Sequence, residues 1–301
     1  MGGHTRTSIT PPRLASLPNE RAQLEYSSRS LVFAADGERL LRAWGTEERP
    51  WVLGVEPGRG RWGVHAWGAE AREARAAVRE LFSLNDPLEE FYRRTRQEPA
   101  LRGTERRFRG LRLPRDANLY ESLLHAVIGQ QLSVAAANAI KRRLFGELSE
   151  PLLADGVEVP CVPSPSRLLD AGHDRLRASG LSHAKVRSLL GVATEAPRLA
   201  RQRVLGAVAR EEATASLEEL PGVGRWTAEN VLLRGVGRRD IFVAGDLGVR
   251  VALARYGVLE RSAPEARARA WAEAHYPGWG SYATLYLWRK LVSERDATAG
   301  G

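Results

Sequence analysis

A single cysteine, Cys161, stands in a chain of 301 residues, leaving no partner for an intramolecular disulfide and no thiolate set for a four-cysteine zinc or iron-sulfur site. Lysine is nearly as scarce. Only Lys141, Lys185 and Lys290 are lysines among 45 basic residues, so 42 arginines carry the positive charge. No apolar run reaches the roughly 18 residues of a membrane-crossing helix. The start, Met1-Gly-Gly-His-Thr-Arg-Thr-Ser8, lacks the apolar stretch of a secretory signal. These absences predict a cytoplasmic protein, nucleoid-associated if bacterial, without a membrane partner. The six histidines (His4, His65, His125, His173, His183 and His275) show no ligand spacing, so each reads as a surface or core residue. Internal repeats and low-complexity tracts are also missing.

What is present describes a globular chain. A hydrophobic content of 43% and a mean hydropathy of −0.34 allow two or three packed units. A formal charge of +9 and a pI near 10.2 suit a polyanionic partner, although a solvated arginine-rich surface would give the same numbers.

The patterning divides the chain in two. Strand-like runs at 30–34, 39–44, 50–55 and 61–67, with turns at Asp36-Gly37 and Pro57-Gly58, predict an antiparallel sheet, and helical spacing follows at 71–82. The later segments 87–98, 118–145, 164–171, 183–190 and 197–208 read as helices, whereas 149–165, with four prolines, reads as a loop. The expected fold is mainly α with a small N-terminal α+β domain. Its parts are a flexible start (1–24), the α+β unit (25–85), a linking helix (86–115), a helical body (116–295) and a flexible tail (296–301).

The most informative run is Leu220-Pro-Gly-Val-Gly-Arg-Trp-Thr-Ala228, followed by Asp246 in Val243-Ala-Gly-Asp-Leu-Gly-Val-Arg250. Gly222 and Gly224 flank Val223, so the turn can take positive φ and approach a ligand with no Cβ in the way. The helix after it, with Arg225 and Thr227 in its first turn, points free N–H groups at the turn, which suits a phosphate. Thr214 or Ser216 would cap the helix before it. An ordinary helix-helix connection would also explain a lone turn of this kind. Asp246, ahead of an apolar-periodic helix, has the position of an N-cap, a role compatible with work as a carboxylate.

The run and its neighbours resemble the helix-hairpin-helix plus Gly/Pro-rich loop plus Asp signature of DNA base-excision glycosylases, the HhH-GPD superfamily, across most of residues 25–295. The resemblance implies that the hairpin binds a DNA phosphate and that Asp246 is the catalytic carboxylate. Strand-cleaving members carry a lysine where this chain has Trp226, and an indole cannot form a Schiff base. That residue and the spacing of 20 from Trp226 to Asp246 look like the AlkA-type 3-methyladenine DNA glycosylase II branch, which is monofunctional. This branch implies an N-terminal domain like half of a TATA-binding protein, and packing of the 86–102 segment against the C-terminal helices.

Further positions follow from the same resemblance. Trp226, Trp288 and Tyr282 would line a base pocket, with Asn230 and Leu247 standing where the branch has aromatics, and Gly280 where arginine is common. Leu124-His-Ala-Val-Ile-Gly-Gln-Gln-Leu-Ser133 is similar to the segment that wedges into DNA, with Gln131 as the wedge or Leu132 as the alternative. Arg225 and Arg250 would touch phosphates by position. Backbone carbonyls of Glu218, Leu220 and Val223 match those that hold Na⁺ or K⁺, and no other cofactor is implied. The expectation is a monomer that excises alkylated purines of the 3-methyladenine and 7-methylguanine type from double-stranded DNA. A glycosylase for hypoxanthine, uracil or an oxidised base, and a non-catalytic DNA-binding protein, are the alternatives.

Overall fold

Short alternating runs that turn back at glycines build the first layer. In the computed structural model, which describes residues 3–16, 30–199 and 203–299, a five-stranded antiparallel sheet comprises β1 (His4–Ile9), β2 (Phe33–Asp36), β3 (Arg39–Gly45), β4 (Pro50–Glu56) and β5 (Trp62–Trp67), in the order β1-β5-β4-β3-β2. Helix α1 (Ala71–Leu81) buries Ala74, Ala77, Val78 and Leu81, spaced for one helical face, against Trp51, Leu53, Val55 and Trp62.

Strand β1 lies within the start expected to be flexible and pairs with β5 from His4↔Trp67 to Ile9↔Trp62. Its polar alternation gave little signal, because an edge strand buries little beyond Ile9. The supposed loop at 149–165 contains β6 (Leu152–Ala154) and β7 (Val157–Val159). Asp155 and Gly156 both have positive φ (49° and 83°), the geometry of a tight hairpin. This hairpin covers the second face of the sheet through Ala154 and Val159 against Leu41, Val52 and Trp67. Residues 1–2 and 17–24 of the expected flexible start, 25–29 of the expected small domain, 200–202 of the expected 197–208 helix and 300–301 of the expected tail lie outside the described residues.

The rest is helical. Helices α2 (Leu88–Gln97) and α3 (Thr104–Arg107) lead to α4 (Leu119–Gly129), which is buried continuously from Tyr120 to Ile128 and forms the axis of the body. Around it lie α5 (Val134–Leu148), α6 (Pro165–Ala178) and α7 (His183–Leu199). Then follow α8 (Arg210–Glu218), α9 (Arg225–Val231), α10 (Leu247–Arg255), α11 (Glu265–His275) and α12 (Gly280–Ala299), which runs into the stretch expected as a tail. Pro197 sits inside α7 instead of opening a helix. Thr214 lies inside α8 and donates to Arg210 O at 2.8 Å; the cap position falls at Ala209, so neither Thr214 nor Ser216 serves it. Phe91 of α2 meets Tyr276, Trp279, Tyr282 and Tyr286. The layers are pinned by Arg42 on β3, which pairs with Glu121 on α4 with both side chains buried. Burial pushes the Glu121 carboxyl up, but Arg42 and His125 hold it below the usual range. Among the described residues no helix is long and apolar enough to cross a membrane.

Candidate functional site

The turn between α8 and α9 is fixed from inside by Leu217, Leu220 and Val223, all buried. Gly222 adopts φ 74°, and a Cβ there would come within 1.9 Å of Ser188 Oγ on α7. Conformation and contact both demand glycine. Gly224 differs from expectation: its φ of −94° and ψ of 178° are extended, so positive φ belongs to Gly222 alone. A Cβ on Gly224 would meet nothing within 4 Å, leaving the start of α9 open to an approaching group. Arg225 does not face that opening freely. Its guanidinium contacts both Glu211 oxygens at 3.0 and 2.7 Å and Glu229 at 3.1 Å. Arg250 likewise donates to Arg261 O and Ala263 O. Among 42 arginines, position alone could not show these competing carboxylate and carbonyl partners.

A second turn is tied to the first. Gln130, at the end of α4, donates from Nε2 to Gly222 O and Thr227 Oγ1, each at 2.9 Å. Lys185 Nζ donates to Ile128 O and Gln130 O at 2.8 and 2.7 Å, satisfying carbonyls at a helix end. Burial lowers the pKa of this amine. Gln131 then projects at the apex with φ 55°, a left-handed conformation uncommon outside glycine. Gln131, Leu132 and Val134 are exposed.

Asp246 caps α10 and is half-buried. Its Oδ1 accepts from Val249 N at 3.0 Å and Trp288 Nε1 at 2.8 Å, while Oδ2 accepts from Trp226 Nε1 at 3.1 Å. The fold thus brings Trp226, Asp246 and Trp288 together from α9, α10 and α12. Gly248 allows this, since a Cβ there would meet Asp246 Oδ1 at 3.1 Å and Trp288 Cδ1 at 3.2 Å. Asn230 is buried one turn after Trp226, donating to Trp226 O at 2.9 Å. Leu247 is 63% exposed beside the carboxylate. Tyr282 does not join them: it is buried, its hydroxyl donates to Asp86 at 2.7 Å, and its ring packs on Phe91 and Trp279. Six residues separate it from Trp288, which turns it roughly 240° around the helix. Tyr282 belongs to the core, and the pocket expectation is corrected.

Sequence reasoning missed Glu229, Arg269, Gln130 and Lys185. Glu229 follows Arg225 by four residues, an ion-pair spacing that gave a signal. Its second partner, Arg269, is 40 residues away and gave none.

Residues 124–275, half of the chain, match the family described as HhH-GPD superfamily base excision DNA repair protein. The chain belongs to that family. It is 34% identical over 185 residues to DNA-3-methyladenine glycosylase 2 of Escherichia coli strain K12, spanning 60% of each chain. It is 33% identical over 222 residues to a probable bifunctional transcriptional activator/DNA repair enzyme AlkA of Mycobacterium tuberculosis, spanning 72% of this chain but 42% of that protein. The match therefore spans about half the length of these two relatives. The fold is similar to the 3-methyladenine DNA glycosylase of Archaeoglobus fulgidus, with a TM-score of 0.82 and 25% identity over 94% of this chain and 97% of that one.

Proposed function

We propose that this protein is a monofunctional DNA glycosylase that flips alkylated purines of the 3-methyladenine and 7-methylguanine type out of double-stranded DNA and hydrolyses the N-glycosidic bond, leaving an abasic site. The observation that carries this reading is Asp246, a half-buried carboxylate held by two indole N–H groups and a helix N-terminus. The names of the relatives, both 3-methyladenine DNA glycosylases, support the alkylated-base part of this reading.

A 3- or 7-alkylated purine is cationic, so its bond to C1′ breaks with the electron pair leaving on the base, which becomes neutral. The sugar left behind has oxocarbenium character, and the Asp246 carboxylate stabilises that charge. Water then adds at C1′ and releases its proton. Trp226 and Trp288 supply electron-rich faces beside Asp246 while their N–H edges orient the acid. Asn230 and Leu247 make the rest of the wall less aromatic. Strand cleavage by imine formation has no amine at the Trp226 position.

DNA is held at the open start of α9, through Gly222, Gly224 and the backbone N–H groups that follow, up to that of Thr227, with Gln131, or Leu132 beside it, filling the stack. Val223 is buried with its N–H on Leu220 O, and the Thr227 hydroxyl is buried against Gln130, so these two side chains support the turn from inside. A Na⁺ or K⁺ would sit on the carbonyls of Glu218, Leu220 and Val223. Neutral oxygens suit such an ion, and Glu218 ends α8, where helix carbonyls run out of intrahelical partners. The ion would add positive potential toward a phosphate. All these groups come from one chain, which fits a monomer.

Duplexes carrying single 3-methyladenine, 7-methylguanine, ethenoadenine or hypoxanthine lesions, treated with alkali after incubation, test the proposal. Breaks only after alkali, on the methylated purines, are expected. Breaks without alkali would show lyase action, and binding without breaks would leave a non-catalytic module.

A further inference from the structure

We propose that Glu229 and Arg269 form a positioning brace that fixes the loop carrying Asp246 relative to the hairpin helix α9. The proposal rests on Asp246 being the reacting carboxylate. Glu229 is 3% exposed and lies three residues after Trp226. Its Oε1 accepts from Arg225 Nε at 3.1 Å and from Arg269 Nη1. Arg269, on α11, reaches the loop before Asp246 in two ways. Its Nη1 donates to Phe242 O at 3.3 Å, and its Nη2 holds Glu265 Oε2 at 3.0 Å. The Glu265 carboxylate in turn lies against Gly245, where a Cβ would come within 2.8 Å of Oε1.

Phe242 and Gly245 bracket the tight chain that delivers Asp246, in which Ala244 N donates to Phe242 O and Asp246 N to Val243 O. One guanidinium thus touches both the approach to Asp246 and the helix bearing Trp226, whose indole donates to that same acid. The chain of contacts Glu211, Arg225, Glu229, Arg269, Glu265 runs from the start of α8, through Arg225 at the start of α9, to the carboxylate loop. Among the described residues Glu229 Oε2 is buried without a hydrogen-bond partner, so the two arginines alone set the orientation of this carboxylate. A buried ion pair adds little net stability over a well-packed apolar pair. What this one supplies is a fixed distance between two elements that must act on one nucleotide.

The test uses the full chain and its variants Glu229→Gln, Arg269→Lys and the double substitution. Single-turnover excision of 7-methylguanine from a duplex is measured beside affinity for a duplex with a tetrahydrofuran abasic-site analogue. Each single variant is expected to lose about tenfold to a hundredfold in excision rate, with affinity for the analogue within about twofold. The double variant is expected to be no more than about twofold slower than the slower single one, because both act through one link. Unchanged rates, rate and affinity falling in parallel, or fully additive losses would overturn the brace. If Glu229→Gln does not fold, Arg269→Lys gives the same readout, since it keeps the charge and loses the fork. A wild-type protein that excises nothing would instead defeat the glycosylase reading.

Discussion

At Asp246 three donors share one carboxylate, and each constrains it differently. Val249 N–H joins the acid to the α10 axis, while the indoles of Trp288 and Trp226 aim its two oxygens. Replacing Asp246 by Asn is expected to lower single-turnover excision of 7-methylguanine by about a hundredfold or more, with binding to abasic-analogue DNA retained. Trp288→Phe keeps the ring and removes the N–H, and is expected to cost about tenfold in the same rate, the weight of one hydrogen bond to a charged group. Equal rates for wild type and Trp288→Phe would reduce the indole to a stacking surface. The family resemblance implied that Asp246 and the tryptophans share a site, but the direction of an indole N–H is a side-chain torsion set by packing.

Among the elements, the α8–α9 turn and the α4–α5 turn are tied together by the two hydrogen bonds of Gln130. The requirement for glycine is sharp at 222 and mild at 224. Gly222→Ala is expected to lower stability by roughly 1–3 kcal/mol from backbone strain alone, with a further loss from the contact with Ser188. Adding Ser188→Ala should recover most of the second part and none of the first, since the Ser188 Cβ stays 3.0 Å from the added methyl, which urea unfolding of the three proteins resolves.

The carboxylates around α9 respond to pH in opposite senses. A hydrogen bond from Arg225 holds Glu211 below its ordinary value, so its contribution to stability is present above 4.5 and fades as pH falls through the depressed value. Burial raises Glu229 despite Arg269 and Arg225, so its contribution is complete below 4.5 and fades as pH rises through the raised value. The stability difference between wild type and Glu229→Gln should therefore shrink as pH is raised from 4.5, read as urea midpoints at successive pH. A constant or widening difference would contradict the assignment.

On the scale of the whole molecule, the sheet domain and the helical body are joined through Arg42 and Glu121, with side chains 2% and 4% exposed. Arg42→Met alone should destabilise the protein by about 3–5 kcal/mol, because it strands Glu121 in the interior. Adding Glu121→Leu should recover much of that loss, measured by urea denaturation. Both halves of the fold were legible, since period-two runs end at 67 and helical spacing starts at 71. What escaped was β1 and the β6–β7 hairpin, short strands that bury few residues and owe their form to the sheet they cover.

The sequence by itself determined the local grammar: the glycine-bent turn, the missing amine at Trp226, the interval to Asp246, the single cysteine and the helical body. These are matters of covalent chemistry and chain spacing, which need no partner. Tertiary structure decided what meets what. It sent Tyr282 into the core, gave Arg225 to carboxylates, turned two indoles onto Asp246 and joined Glu229 to Arg269 across 40 residues. Such contacts depend on which helix faces are buried together, and that follows from packing the whole chain.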